Sequence, residues 1–327
     1  MVFLDILLLV LGFAALIKGA DWFVDGSAAL ARLFKVPGVI VGLTIVAMGT
    51  SAPELAVSAS AALQGSNEIA LSNVVGSNMF NLLMVLGICA IIHEIPVDEK
   101  IIKRDFPINI IVTLAVLIAV GRNAISMITG GSIVMNAEAG RVSRLTGLLL
   151  LIAFIIYIVF LIIEARKNPD AEEETNTKSY SPLKCFILIL IGIGLIVGGG
   201  QAVVYSAKEI ARIAGMSETL IGLTVVALGT SLPELVTSIV AAGKGETGMA
   251  VGNVVGSNIF NLMLILGTSA VIHPIGVNLE SVFDLAILTL ITAFTFICCC
   301  RGRSLKRVEG ILMVLLYIGS MVFAALR

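Results

Sequence analysis

Charge is what this chain has least of. Only 13% of its 327 residues are Asp, Glu, Lys or Arg, while 58% are hydrophobic and the mean hydropathy is +1.07. A soluble domain carries about a quarter charged residues, so the proportions exclude an ordinary water-soluble globule and indicate a polytopic membrane protein. The net charge of −1 supplies no basic face for phosphates, and no nucleic-acid partner is expected. Soft or borderline metal ligands are scarce too. Cys89, Cys185 and Cys298 to Cys300 sit in or beside apolar runs, without metal-site spacing or a disulfide framework, and read as small packing residues. The two histidines, His93 and His273, each fall just past a repeated segment and read as helix-end residues at the membrane interface rather than ligands. The N-terminus has no basic flank. Its apolar run leads directly to Asp21 and Asp25, so it reads as a first membrane helix rather than a cleaved signal, with the two acids as solvated helix-end residues. No cofactor and no obligate protein partner is expected; the implied surroundings are a lipid bilayer.

A spanning helix needs about 20 apolar residues. The apolar runs predict helices at 3–30, 38–64, 68–92, 106–121 and 146–164, then at 183–211, 218–242, 248–272, 282–300 and 308–326. The expected fold is therefore all-α, with ten transmembrane helices in two five-helix units, 1–164 and 183–327. A polar linker, 165–182, joins them and is too short for a folded domain. The connection 122–145 contains SMITGGSIVM, which reads as a β-hairpin around Gly130-Gly131. With the N-terminus outside, fourteen Lys and Arg fall on inner connections. Six fall outside: Arg122, Arg141, Arg144, Lys208, Arg212 and Arg327. The positive-inside rule then places both termini outside and the linker in the cytoplasm of a multi-pass protein of the cell (plasma or inner) membrane. Five helices per unit make the second unit enter with opposite orientation, so the repeats are inverted.

The repetition is explicit. GLTIVAMGTSAPELAVS at 42–58 returns as GLTVVALGTSLPELVTS at 222–238, twelve of seventeen positions identical. SNVVGSNMFNLLMVLG at 72–87 returns as GNVVGSNIFNLMLILG at 252–267, eleven of sixteen identical. A duplicated hydrophobic segment interrupted by Gly and Pro points to a transporter's substrate site. Each copy of the first segment holds one acid, Glu54 or Glu234, with no Lys or Arg in the segment to neutralise it. An ionisable residue so placed is functional by default.

Proline returns no N–H to the residue four positions back, so Pro53 and Pro233 free the carbonyls of Gly49 and Gly229. Thr50 and Ser51 precede Glu54 by four and three residues and share its helix face, as Thr230 and Ser231 do for Glu234. In the second segment Asn73, Ser77 and Asn81 form a stripe at four-residue spacing, repeated by Asn253, Ser257 and Asn261. Asn78 and Asn258 lie just off it, either as ligands or as helix-to-helix hydrogen bonds; Asn73 and Asn253 equally suit bracing a helix end. Packed together, the halves offer two carboxylates, hydroxyls, amide oxygens and released carbonyls. That all-oxygen set suits hard cations such as Ca²⁺ and Na⁺, with Glu54 and Glu234 as the charged ligands.

GTSAPEL at 49–55, GTSLPEL at 229–235 and the paired GSNMFN and GSNIFN resemble the alpha repeats of the calcium/cation antiporter superfamily, and within it the sodium/calcium exchangers and their prokaryotic relatives. The resemblance spans the whole ten-helix plan. It implies ion-site roles for Thr50, Ser51, Glu54, Ser77 and Asn81, and for Thr230, Ser231, Glu234, Ser257 and Asn261. It further implies that the backbone carbonyls of Ala47 and Ala227 assist with Na⁺. Many members carry Asp where this chain has Asn261, so two carboxylates stand here instead of three. That departure bears on Na⁺ stoichiometry and ion preference and leaves room for proton coupling. The GNATE-type first motif usual in the proton/calcium branch is missing.

The expected activity is exchange of Ca²⁺ for Na⁺ by alternating access, not catalysis. A proton- or K⁺-coupled cation antiporter on the same scaffold is the alternative. A channel is disfavoured by the matching breaks in both repeats. An intramembrane protease is disfavoured because the repeated segments lack His, Lys and Asp.

Overall fold

The computed structural model describes residues 2–65, 67–129, 138–167, 180–215 and 227–326. The first half contains α1 (Val2–Leu33), α2 (Gly38–Thr50), α3 (Ala52–Leu63), α4 (Ile69–Ile92), α5 (Phe106–Thr129, entered through a π turn at Ile101–Asp105) and α6 (Arg144–Lys167). The second contains α7 (Pro182–Ile213), α8 (Ala227–Thr230), α9 (Leu232–Gly243), α10 (Thr247–Ile272), α11 (Leu279–Cys300) and α12 (Arg307–Leu326). Every one of the ten expected segments carries helix. Among the described residues seven helices are long and apolar enough to cross a membrane, eight if the bent pair α2–α3 counts as one span. The molecule is thus an all-helical, multi-pass membrane protein.

Helix ends follow local chemistry. Ser181 caps α7 by accepting the Lys184 N–H, with Pro182 in the first turn, and Asn278 caps α11 through Ser281 N–H. Gly65 and Gly245, 180 residues apart, terminate α3 and α9 with φ of +75° and +80°, a conformation that a Cβ disfavours.

Burial sorts the helices into two layers. In α4 and α10, 67% and 78% of the spanning window is buried; in α1 and α6 the shares are 22% and 28%. The outer helices show Phe3, Ile111, Ile118, Leu145, Leu290 and Val308 on their surfaces, side chains that only lipid covers at little cost. α1 and α7 run against each other at glycines. A Cβ on Gly19 would lie 2.9 Å from the Gly192 carbonyl, and one on Gly192 2.8 Å from Phe23, so the backbones touch.

Two short antiparallel pairs tie the halves together: β1 (Ile95–Pro96) with β4 (Ser304–Leu305), and β2 (Glu138–Val142) with β3 (Ile275–Asn278). The hairpin expected within 126–135 is not formed in its described part. Ser126 to Thr129 continue α5, and 130–135 lie outside the described residues. The nearby strand, β2, pairs with the other half instead, in register from Glu138 opposite Asn278 to Val142 opposite Ile275. Asp21 and Asp25 are likewise not helix-end residues. They sit within α1, one-third exposed or less than that, and bind Lys244 Nζ at 2.7 and 2.5 Å. A sequence gap of more than 200 residues hid that partner.

Candidate cation site

The site grows from two broken helices. α2 and α3 meet at a 50° bend. Ser51 at the break has φ −83° and ψ 6°, and Ser231 between α8 and α9 repeats it with φ −94° and ψ 6°. Pro53 and Pro233 then restart the helices, which places Glu54 and Glu234 in first turns, where unpaired N–H groups and the helix dipole favour a carboxylate. Additional π turns lie at Gly42–Val46, Phe80–Val85 and Asn261–Ile265, the last two containing Asn81 and Asn261.

Hydrogen bonds join the halves crosswise. The Ser51 hydroxyl donates to Glu234 Oε1 at 2.9 Å, and the Ser231 hydroxyl donates to Glu54 Oε1 at 3.1 Å while lying 3.1 Å from Ser77 Oγ. Asn81 Nδ2 donates to Asn258 Oδ1 at 3.1 Å, and Asn261 Nδ2 to Asn78 Oδ1 at 2.9 Å. Glu54, Ser77, Asn81, Glu234, Ser257 and Asn261 are all buried.

What these bonds leave over is informative. Glu54 Oε2, Glu234 Oε2, Asn81 Oδ1, Asn261 Oδ1, Thr230 Oγ1 and Ser257 Oγ are buried and make no hydrogen bond. An unsatisfied buried polar atom costs about 1–3 kcal/mol. Six oxygens left so, two of them from carboxylates, match the ligand number that a hard cation accepts. Among the described residues no three His, Cys, Asp or Glu side chains are grouped so as to hold a metal ion, and Glu54 and Glu234 are the acids of this site.

Thr50 and the Ala47 carbonyl each also have protein partners. The Thr50 hydroxyl lies 3.0 Å from Asn253 Oδ1, its shortest contact, and the Ala47 carbonyl accepts the Ser51 N–H at 3.0 Å. Ala227 opens α8, and its side chain lies outside the described residues.

Asn73 and Asn253 brace the breaks. Asn73 Nδ2 donates to Glu54 O at 3.3 Å and Ser58 Oγ at 3.0 Å; Asn253 Nδ2 donates to Glu234 O at 3.5 Å and Ser238 Oγ at 2.9 Å. Ser58 and Ser238 escaped the reading of the sequence, although both close the repeated segment at the same 180-residue offset.

The family model described as sodium/calcium exchanger protein matches residues 4–163 and 184–326. The putative antiporter CaxA of Alkalimonas amylolytica is 35% identical over 318 residues, 94% of each chain. The sodium/calcium exchanger MaX1 of Methanosarcina acetivorans is 30% identical, covering 98% of this chain and 99% of its own. A solved structure of the sodium-calcium exchanger NCX_Mj superposes with TM-score 0.82 at 32% identity over the full length of both chains.

Proposed function

The chain belongs to the sodium/calcium exchanger protein family, and from that premise we propose that it expels Ca²⁺ in exchange for Na⁺ by alternating access. The observation that carries this reading is the set of six buried, unpartnered oxygens contributed by both halves, two of them from Glu54 and Glu234. The first ligand shell is Glu54, Ser77, Asn81, Thr230, Glu234, Ser257 and Asn261, with Thr50, Ser51 and Ser231 completing it as hydroxyls turn. Two carboxylates neutralise one Ca²⁺ or two Na⁺. Both ions draw on the same oxygens, so occupancy by one excludes the other, and that competition is the physical basis of exchange.

The ten crossings form two inverted units, 1–164 and 183–327, joined by the linker 165–182. The termini face outward and the linker inward, as the distribution of Lys and Arg requires. Neutral Asn261 favours one further reading, coupling to H⁺, because a pair of carboxylates exchanges protons for a divalent ion without a third charge. Reconstituted vesicles decide between them. Ca²⁺ uptake is measured under separate Na⁺, H⁺ and K⁺ gradients with the voltage clamped by ionophores. Na⁺-driven uptake supports the exchanger; uptake driven only by H⁺ or K⁺ replaces it with the corresponding alternative.

A further inference from the structure

Two asparagines outside the proposed ligand shell organise the two inside it. Asn78 Nδ2 donates to the main-chain carbonyl of Asn258 at 3.2 Å, and Asn258 Nδ2 donates to that of Asn78 at 3.4 Å. A carbonyl only accepts, so each of these amides must present its nitrogen there and its Oδ1 on the other side. Asn78 Oδ1 then receives Asn261 Nδ2, and Asn258 Oδ1 receives Asn81 Nδ2. Asn261 and Asn81, with their nitrogens spent, turn their own Oδ1 atoms to where no protein donor meets them. The polarity of both chains is set at a backbone carbonyl and ends at a bare oxygen, and all four side chains are buried.

We infer that Asn78 and Asn258 are positioning residues, each orienting the ion-facing amide oxygen of its relay partner, Asn261 and Asn81 respectively. This rests on the exchanger reading, since it concerns ligands of that site. Unoriented, an amide buried beside a cation presents N–H as readily as oxygen, and an N–H repels the ion. The relay also accounts for the neutral residue at 261. Asn261 has a nitrogen to give Asn78 Oδ1, whereas an ionised Asp would set acceptor against acceptor.

The test is a set of double-mutant cycles read by Ca²⁺ affinity of the purified, full-length protein, with thermal unfolding recorded for each variant. N78A is expected to weaken Ca²⁺ binding roughly tenfold in the native background, as loss of a buried hydrogen bond at a ligand does. In the N261A background it should have no further effect, while in the N81A background its full effect should persist. N258A should show the mirror pattern, silent with N81A and fully effective with N261A. Mere helix packing would make the losses add in every background, and that outcome, or an N78A protein of native affinity, overturns the assignment. If N78A does not fold, N78S, which keeps a hydroxyl for the Asn258 carbonyl but offers Asn261 no amide oxygen, goes through the same cycles with the same expected pattern. Native protein that binds no Ca²⁺ at all would refute the exchanger reading; additive losses in a protein that binds it refute only the relay.

Discussion

Two faces of the site, built from nearly the same sequence, are packed differently. On one, α10 lies hard against α2: a Cβ on Gly252 would come within 2.6 Å of the Val39 carbonyl and one on Gly256 within 2.8 Å of the Leu43 backbone. On the other, the equivalent positions of α4, Ser72 and Gly76, are exposed, and nothing among the described residues approaches Gly76 within 4 Å. The outer layer follows suit. α1 packs along α9, with Lys244 held by Asp21 and Asp25 and Arg32 bound to Glu246 at 3.1 Å. The counterparts of the two acids on α7, Gln201 and Tyr205, are exposed, and Gln64 stands where Lys244 would be. Among the described residues, repeats that are alike in sequence are therefore packed differently, and the Lys244 pairs have no charged counterpart at Gln64, Gln201 and Tyr205. In the proposed orientation the close-packed face is cytoplasmic and the other external.

The comparison breaks most severely at its centre. Glu54→Gln and Glu234→Gln should each abolish Ca²⁺ transport in vesicles while leaving insertion and folding intact, because losing one of two charges penalises a divalent ion far more than a monovalent one. Transport near the native rate in either variant would mean that the halves do not share one site.

The glycines sharpen it. Gly256→Ala overpacks the close-packed face and should destabilise the protein by about 1–3 kcal/mol, seen as a lowered Tm. Gly76→Ala meets nothing within 4 Å among the described residues, so Tm should hold. Exchange should nevertheless slow, since the other access state must close that same face; unaltered turnover would show that α4 never packs as α10 does.

A smaller effect is expected from Lys244→Gln. A partly exposed ion pair contributes about 1 kcal/mol or less, enough to move a balanced two-state equilibrium several-fold. Labelling of a cysteine engineered beside the inner end of α9 should increase, with Ca²⁺ affinity of the labelled-open fraction unchanged.

The smallest effect should come from Glu99→Gln. The Lys103 ammonium and the Arg303 guanidinium hold the Glu99 carboxyl below its usual range, so its contribution is present at neutral pH and disappears as acid titrates it. The side chain is exposed, and thermal unfolding at neutral pH should scarcely change. Lost β1–β4 pairing would instead assign this loop a role in joining the halves.

Much of the site was legible from residues alone. The Pro-broken segments, both Glu and the flanking hydroxyls all come from spacing and repetition, and the breaks at Ser51 and Ser231 follow from proline's missing N–H. Other features were illegible for a common reason. The Lys244 pairs, the β2–β3 register and the Asn relays each join residues between about 135 and 225 positions apart, and no local period encodes such a partner. Asn78 and Asn258 show the limit well: their type and position left ligand and brace equally open, and only the direction of two backbone carbonyls separates them.

Sequence by itself determined the membrane class, the doubled motifs, the helix breaks and the number of carboxylates they carry, because hydropathy, proline chemistry and formal charge are properties of residues. Tertiary structure decided which oxygens remain free and how tightly α10 packs on α2. Hydrogen-bond direction and close packing depend on where the partner stands, and two copies of one motif carry no information about what each packs against.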